Sequence, residues 1–257
     1  WTNDEYLQFM YERLVLIREL LSETGSFYLH VDQRRGHLLR CICDEVFGTA
    51  SFQREIIWRI GWISGYKSVA KNWIRNHDTI IFYTKSSDNF TFNKEYIPYP
   101  EGYTRRDGSE PTGSGYPIED TWNCSNLDRL DSIQIMSFSG EKVGYPTQKN
   151  EDLLARIIRA SSSPGDLVFD CFMGSGTTQA VAAKLGRRFI GADINLGAIQ
   201  TTTKRLIKLV DELSQNPLDR NTKYYMGFEV YNVNHYDIFR NPVQAKELLI
   251  EALEVQK

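Results

Sequence analysis

Residues 164–178 read Pro-Gly-Asp-Leu-Val-Phe-Asp-Cys-Phe-Met-Gly-Ser-Gly-Thr-Thr, and this stretch constrains the fold more than any other. A short apolar run ends on Asp170, and Gly174 and Gly176 follow, which predicts a strand turning tightly into a helix whose first residues, Thr177 and Thr178, can cap exposed N–H groups. A second run, Arg188 to Asp193, again ends on an acid. Helices are expected at 149–161, 177–186 and 196–214, with strands at 166–170 and 188–193. Such alternation implies an α/β fold, a doubly wound and mostly parallel sheet covered on both faces.

The chain before this unit is patterned too. Leu7, Met10, Leu14, Ile17 and Leu21 recur at helical steps over residues 4–23, with Asn3 as expected N-cap and Gly25 as terminator. A strand at 26–32, a helix at 34–47 and strands at 52–59 and 78–85 follow from their apolar cores. From 86 to 145 periodicity fails among Pro98, Pro100, Pro111 and Pro117, which reads as an irregular insertion. The tail offers a strand at Phe228–Val233 and a helix at 243–255. The expected organisation is 1–85, the insertion 86–145, 146–215 and an extension 216–257.

What the Gly loop would hold follows from one charge and one absence. No Lys follows the loop and no third glycine completes GxGxxG, so a phosphate-binding loop is disfavoured. Asp170 at its mouth would repel a pyrophosphate but attract an ammonium or sulfonium, which points to S-adenosylmethionine. Asp193, at the end of the next strand, is placed to accept the hydroxyls of a ribose. Two alternatives stay open: both acids simply cap helices, or a nucleotide-dependent oxidoreductase uses the same layout.

Net charge is −3, yet Ser51 to Lys85 carries six basic residues against two acidic ones, interleaved with Trp58, Trp62, Tyr66 and Trp73. Arg59, Lys67 and Lys71 suit a wall that contacts nucleic-acid phosphates; packed aromatics under solvated charges are the plain alternative. Cys41, Cys43, Cys124 and Cys171 do not cluster with the histidines, so no metal is expected. No apolar run approaches the roughly 20 residues of a membrane span, and a cytoplasmic protein with no membrane association is expected.

Residues 170–178, together with Tyr145-Pro-Thr-Gln-Lys149 upstream, closely resemble the cofactor segments of the β-class DNA amino-methyltransferases. Residues 1–85 are similar to the catalytic half of type III-like members, at Tyr28-Leu-His-Val-Asp32, Asp44-Glu-Val-Phe-Gly48 and His77 to Lys85 among others. The resemblance implies a Rossmann-like class I methyltransferase fold and S-adenosylmethionine as cofactor. It brings Thr147, Gln148 and Lys149 into one pocket with Asp170, Phe172, Gly174, Gly176 and Thr177. It also implies methylation of an exocyclic base amine in double-stranded DNA, adenine N6 preferred over cytosine N4, in a restriction-modification setting, with a homodimer or partner subunit.

Asp32, His77 and Asp78 would line a flipped base. The insertion would recognise the target sequence, with Arg105 and Arg106 as contacts. One departure is serious. No two prolines are adjacent, so the family's Asp-Pro-Pro-Tyr tetrapeptide is absent and no catalytic residue is assigned in this chain. The tetrapeptide is expected upstream of Trp1; the alternative is a non-catalytic relative that binds DNA or cofactor.

Overall fold

The computed structural model describes residues 2–59, 69, 71–122, 141–215, 218, 222–225 and 227–233. These fall into two units: described residues up to 122 with 156–162 in one, and 141–155 with those from 163 onward in the other. Lys67, Trp62, Tyr66, Cys124, His235 and the helix expected at 243–255 lie outside the described residues.

In the first unit, α1 (Asn3–Leu20) is capped by Thr2, not Asn3. The Thr2 hydroxyl accepts the Glu5 N–H at 3.2 Å and Glu5 returns a carboxylate to the Thr2 N–H at 2.8 Å. A threonine three residues before a glutamate satisfies two helix-end donors reciprocally, which Asn3 could not do. Next come β1 (Ser26–Val31) and α2 (Gly36–Phe47), which Gly48 ends at φ 85°. The strands β2 (Phe52–Arg59) and β3 (His77–Thr84) follow.

The sheet here is mixed. β3 lies between β1 and β2, antiparallel to both, and β6 (Thr121–Trp122) adds to β2 in parallel. β1 and β2 therefore run the same way, with α2 as the crossover between them, while β3 returns directly from β2 and needs no helix. Among the described residues the insertion contributes the pair β4 (Tyr96–Ile97) and β5 (Tyr116–Pro117) besides β6. Met10 and Leu14 of α1, Leu39, Cys43 and Phe47 of α2, and Ile81 and Tyr83 of β3 form one core. Each buried Leu, Ile, Met or Phe among them contributes about 1.5–3 kcal/mol. Tyr83 keeps its hydroxyl paired by donating to Asp44 Oδ1 at 2.5 Å.

The second unit carries the elements around the Gly loop. They are the first turn of α3 (Glu151–Ser161), then β7 (Leu167–Asp170), α4 (Thr177–Lys184), β8 (Arg188–Gly191) and α5 (Leu196–Gln215). β7 and β8 pair in parallel, as the strand–loop–helix–strand order requires. α5 buries Ala198, Thr202, Leu206, Leu209 and Leu213, one stripe at steps of three and four, and three of these pack on Ala180 and Ala183 of α4. The strand expected at 228–233 is not formed. Phe228 packs on the α4–α5 cluster as irregular chain, and residues 229–233 make no ladder.

Candidate functional site

β8 ends at Gly191, so Asp193 sits two residues past the strand rather than on it. That offset lets the chain curl back over the Gly loop. Asp193 Oδ2 accepts the Gly174 N–H at 2.9 Å, and Oδ1 accepts the Asn195 N–H at 2.8 Å. Asp170, the last residue of β7, takes the Phe172 N–H at 3.0 Å and the Thr178 hydroxyl at 2.6 Å. Asp170 at the end of β7 and Asp193 just beyond β8 thus grip one loop. An ionised carboxylate offers about four lone-pair directions, so each acid retains acceptor capacity.

The loop conformation demands glycine at one position above all. Gly176 has φ 69°, and a Cβ there would meet Thr202 Cγ2 at 2.5 Å. Gly176 is also the N-cap of α4 and provides no side-chain cap. Thr177 and Thr178 do not cap the helix as expected. The Thr177 hydroxyl donates to the Lys149 carbonyl at 3.3 Å, and that of Thr178 goes to Asp170.

The Thr177 bond joins the loop to residues 145–149. The Tyr145 ring lies 3.2 Å from where a Gly174 Cβ would stand. Gln148 braces its own turn, its amide donating to the Glu141 carbonyl at 2.7 Å and its oxygen accepting the Val143 N–H at 2.9 Å. Thr147 is exposed, and its carbonyl accepts Lys149 Nζ at 3.3 Å. Burial pulls the Lys149 ammonium below the ordinary lysine range, and the nearby Asp170 carboxylate offsets part of that. A partly buried ammonium close to a carboxylate is a matched pair for a zwitterion such as an amino-acid moiety. Phe172 is half exposed beside the loop. Burial, and then Asp170, push the Cys171 thiol up to about 11, so it is not a nucleophile at neutral pH.

Beneath the loop lies a charged group that sequence spacing did not reveal. Glu151 receives Lys184 Nζ at 2.5 Å and Arg205 Nη2 at 2.7 Å. Burial alone would raise the Glu151 carboxyl, but these two cations outweigh it and hold it below the usual carboxylate range. Arg205 Nη1 also donates to the Ser175 carbonyl at 3.1 Å and to the Thr177 hydroxyl at 3.0 Å. The signal was present in the sequence: Thr202 and Arg205 are polar residues on the core-facing stripe of α5.

In the first unit, the register sets Arg59 opposite His77 and Trp58 opposite Asp78. Arg59 and His77 are exposed at the sheet end, and Lys71 is exposed nearby in sequence. Asp78 pairs with Arg75 and holds His30 Nε2 at 3.1 Å, while the His30 ring stands edge-on to Trp58. Sequence reasoning selected Asp78 but missed His30, since only the β1–β3 register brings them together. Trp58 is 3% exposed, and its indole N–H finds no acceptor among the described residues. Asp32 is an exposed turn acid that accepts the Arg34 N–H at 3.0 Å. Arg105 donates to the Thr112 hydroxyl, and Arg106 is exposed. Among the described residues no acid, His or Cys cluster could hold a metal ion, and no helix is long and apolar enough to cross a membrane.

Comparison with known proteins places these features in context. A family profile described as DNA methylase matches residues 1–204. The chain is 32% identical over 209 residues to the type II methyltransferase M1.MboII of Moraxella bovis, covering 76% of each. It is 29% identical over 215 residues to the DNA adenine methyltransferase YhdJ of Escherichia coli (strain K12), covering 80% of this chain and 68% of that one. Two solved structures share its fold. One is the M1.HpyAVI-SAM complex, with a TM-score of 0.54 at 24% identity over 76% of this chain and 81% of that one. The other is the PvuII cytosine-N4-specific DNA methyltransferase, with 0.55 at 19% identity over 86% and 73%.

Proposed function

The chain belongs to the DNA methylase family of the N6/N4 type, and from that membership we propose that residues 145–149, 170–178 and Asp193 form its S-adenosylmethionine site. The activity is transfer of a methyl group to an exocyclic amine of a DNA base. One observation carries the site assignment: Asp170, at the end of β7, and Asp193, two residues beyond the adjacent parallel β8, both bond the loop that contains Gly174 and Gly176.

The residues present fit such a cofactor. Asp170 has acceptor capacity for the ammonium of a methionine moiety, and Lys149 supplies a cation for its carboxylate. The free lone pairs of Asp193 suit ribose hydroxyls, and the exposed ring of Phe172 offers a face for an adenine. When bound, the cofactor supplies an electrophilic methyl on a sulfonium. The chain's own part here is to orient the cofactor and to complement its charges for an in-line displacement at carbon.

On the substrate side, His77 and Asp78 at one end of the β2–β3 pair line the flipped base, and Arg59, Lys67 and Lys71 contact phosphates. Asp32 joins His77 and Asp78 at that base. The insertion at 86–145 reads the target sequence. The finer assignment is a β-class enzyme of type III-like organisation acting on adenine N6, paired as a homodimer or with a restriction partner. No Asp-Pro-Pro-Tyr tetrapeptide occurs in residues 1–257, so the group that accepts the amine hydrogens is left unassigned.

Calorimetric titration of the full-length protein with S-adenosylmethionine, and separately with a nicotinamide dinucleotide, tests the cofactor assignment. Saturable binding of the first alone is expected. Preference for the dinucleotide would refute it.

A further inference from the structure

We propose that Arg205 is a positioning residue for the cofactor loop, holding the two cofactor-lining segments together from beneath. The proposal rests on the S-adenosylmethionine reading of that site. Its ground is the reach of one guanidinium, which bonds Ser175 O in the loop, Thr177 Oγ1 at the start of α4 and Glu151 Oε1 at the start of α3. Glu151 begins the helix two residues after Lys149, so Arg205 ties the 145–149 segment to the 174–177 loop.

The rest of the loop is fixed on the same pattern. Thr202, three residues before Arg205 on α5, donates its hydroxyl to the Gly174 carbonyl at 3.1 Å, and Asp193 takes the Gly174 N–H. α5 thus holds two consecutive loop carbonyls, one with each side chain. A loop built on two left-handed glycines has many accessible backbone states, so its bound shape must be imposed from outside.

Arginine suits this place. Its side chain is only 8% exposed, and a planar fork can serve a carboxylate with one nitrogen and a carbonyl with another. Lysine would keep the charge beside Glu151 but cannot present two coplanar nitrogens. Lys184 is the natural control, since it pairs with the same Glu151 and is not bonded to the loop.

The test measures S-adenosylmethionine affinity, steady-state constants and thermal midpoints for the full-length protein and its Arg205→Lys, Arg205→Gln and Lys184→Met variants. Arg205→Lys is expected to raise Kd and KM for the cofactor about tenfold or more, with kcat and the KM for DNA within about threefold. Lys184→Met should shift cofactor Kd by less than about threefold, although it removes the other ion pair to the same Glu151 carboxylate. If the lysine variant unfolds, Arg205→Gln serves the same comparison, because its amide can replace only one arm of the fork.

Wild-type cofactor affinity in a folded Arg205 variant would overturn the proposal. So would equal losses in the Arg205 and Lys184 variants, since these would mark a general stability effect. A wild-type protein that binds no S-adenosylmethionine would refute the cofactor reading itself, and the role of Arg205 with it.

Discussion

Asp193 reaches back from beyond β8 to accept the N–H of Gly174 at 2.9 Å, so the acid assigned to the ribose is also a brace of the Gly loop. Its removal strikes the cofactor site twice. Asp193→Ala is expected to weaken S-adenosylmethionine binding by more than about tenfold, on the order of 1.4 kcal/mol. Asp193→Asn should lose less, because its amide oxygen can still accept the Gly174 N–H. Calorimetry on the folded variants checks this; unchanged affinity in the alanine variant would remove Asp193 from the site.

Gly176 cannot carry a side chain without displacing Thr202. Its φ of 69° already disfavours other residues, and the added Cβ would lie 2.5 Å from the Thr202 methyl. Gly176→Ala should cost about 1–3 kcal/mol of stability and weaken cofactor binding. Urea denaturation reads the first effect and titration the second. A variant as stable as the wild type would contradict the packing described for α4 and α5.

Glu151 supplies a pH signature. Its carboxyl lies below the ordinary 4.5 because Lys184 and Arg205 outweigh its burial. A depressed folded value means that its stabilisation is present above the unfolded value and is lost as pH falls through the folded one. Glu151→Gln should therefore cost about 2–3 kcal/mol at pH 7, and the gap from wild type should close only under acid conditions below about pH 4.5. Denaturant midpoints measured across that range check the sign. A gap that widened on acidification would contradict the network.

Arg59 and Lys71 are exposed cations assigned to phosphate contact. If that is their role, Arg59→Ala and Lys71→Ala should each weaken DNA binding for all sequences and reduce the salt slope of log K by about 0.9. Binding isotherms at several salt concentrations decide it. Unchanged slopes would mark both as solvated surface charges.

The sequence announced the cofactor half clearly, because the apolar runs ending on Asp170 and Asp193 and the glycines between them are local signals. The structure keeps all of them around one loop. Pairing across the sheet was harder to read: nothing near His30 indicates Asp78 until the β1–β3 register is known. β3 looked like any buried strand, and only its neighbours show that it runs against both. Arg205 went unnoticed for another reason. A charged residue on a helix is usually solvated, and its burial depends on where Glu151 and Ser175 fold. The helix start failed on a local point, since Thr2 and Glu5 form a capping box one residue ahead of Asn3.

The most direct test supplies the full-length gene product with S-adenosylmethionine carrying a labelled methyl group and with duplex DNA of varied sequence, then digests the DNA and separates its nucleosides. Label in N6-methyladenine, or in N4-methylcytosine, is the result predicted for amine methylation, with adenine expected. Label at carbon five of cytosine, or no transfer to DNA by a protein that binds both partners, would contradict the assigned activity.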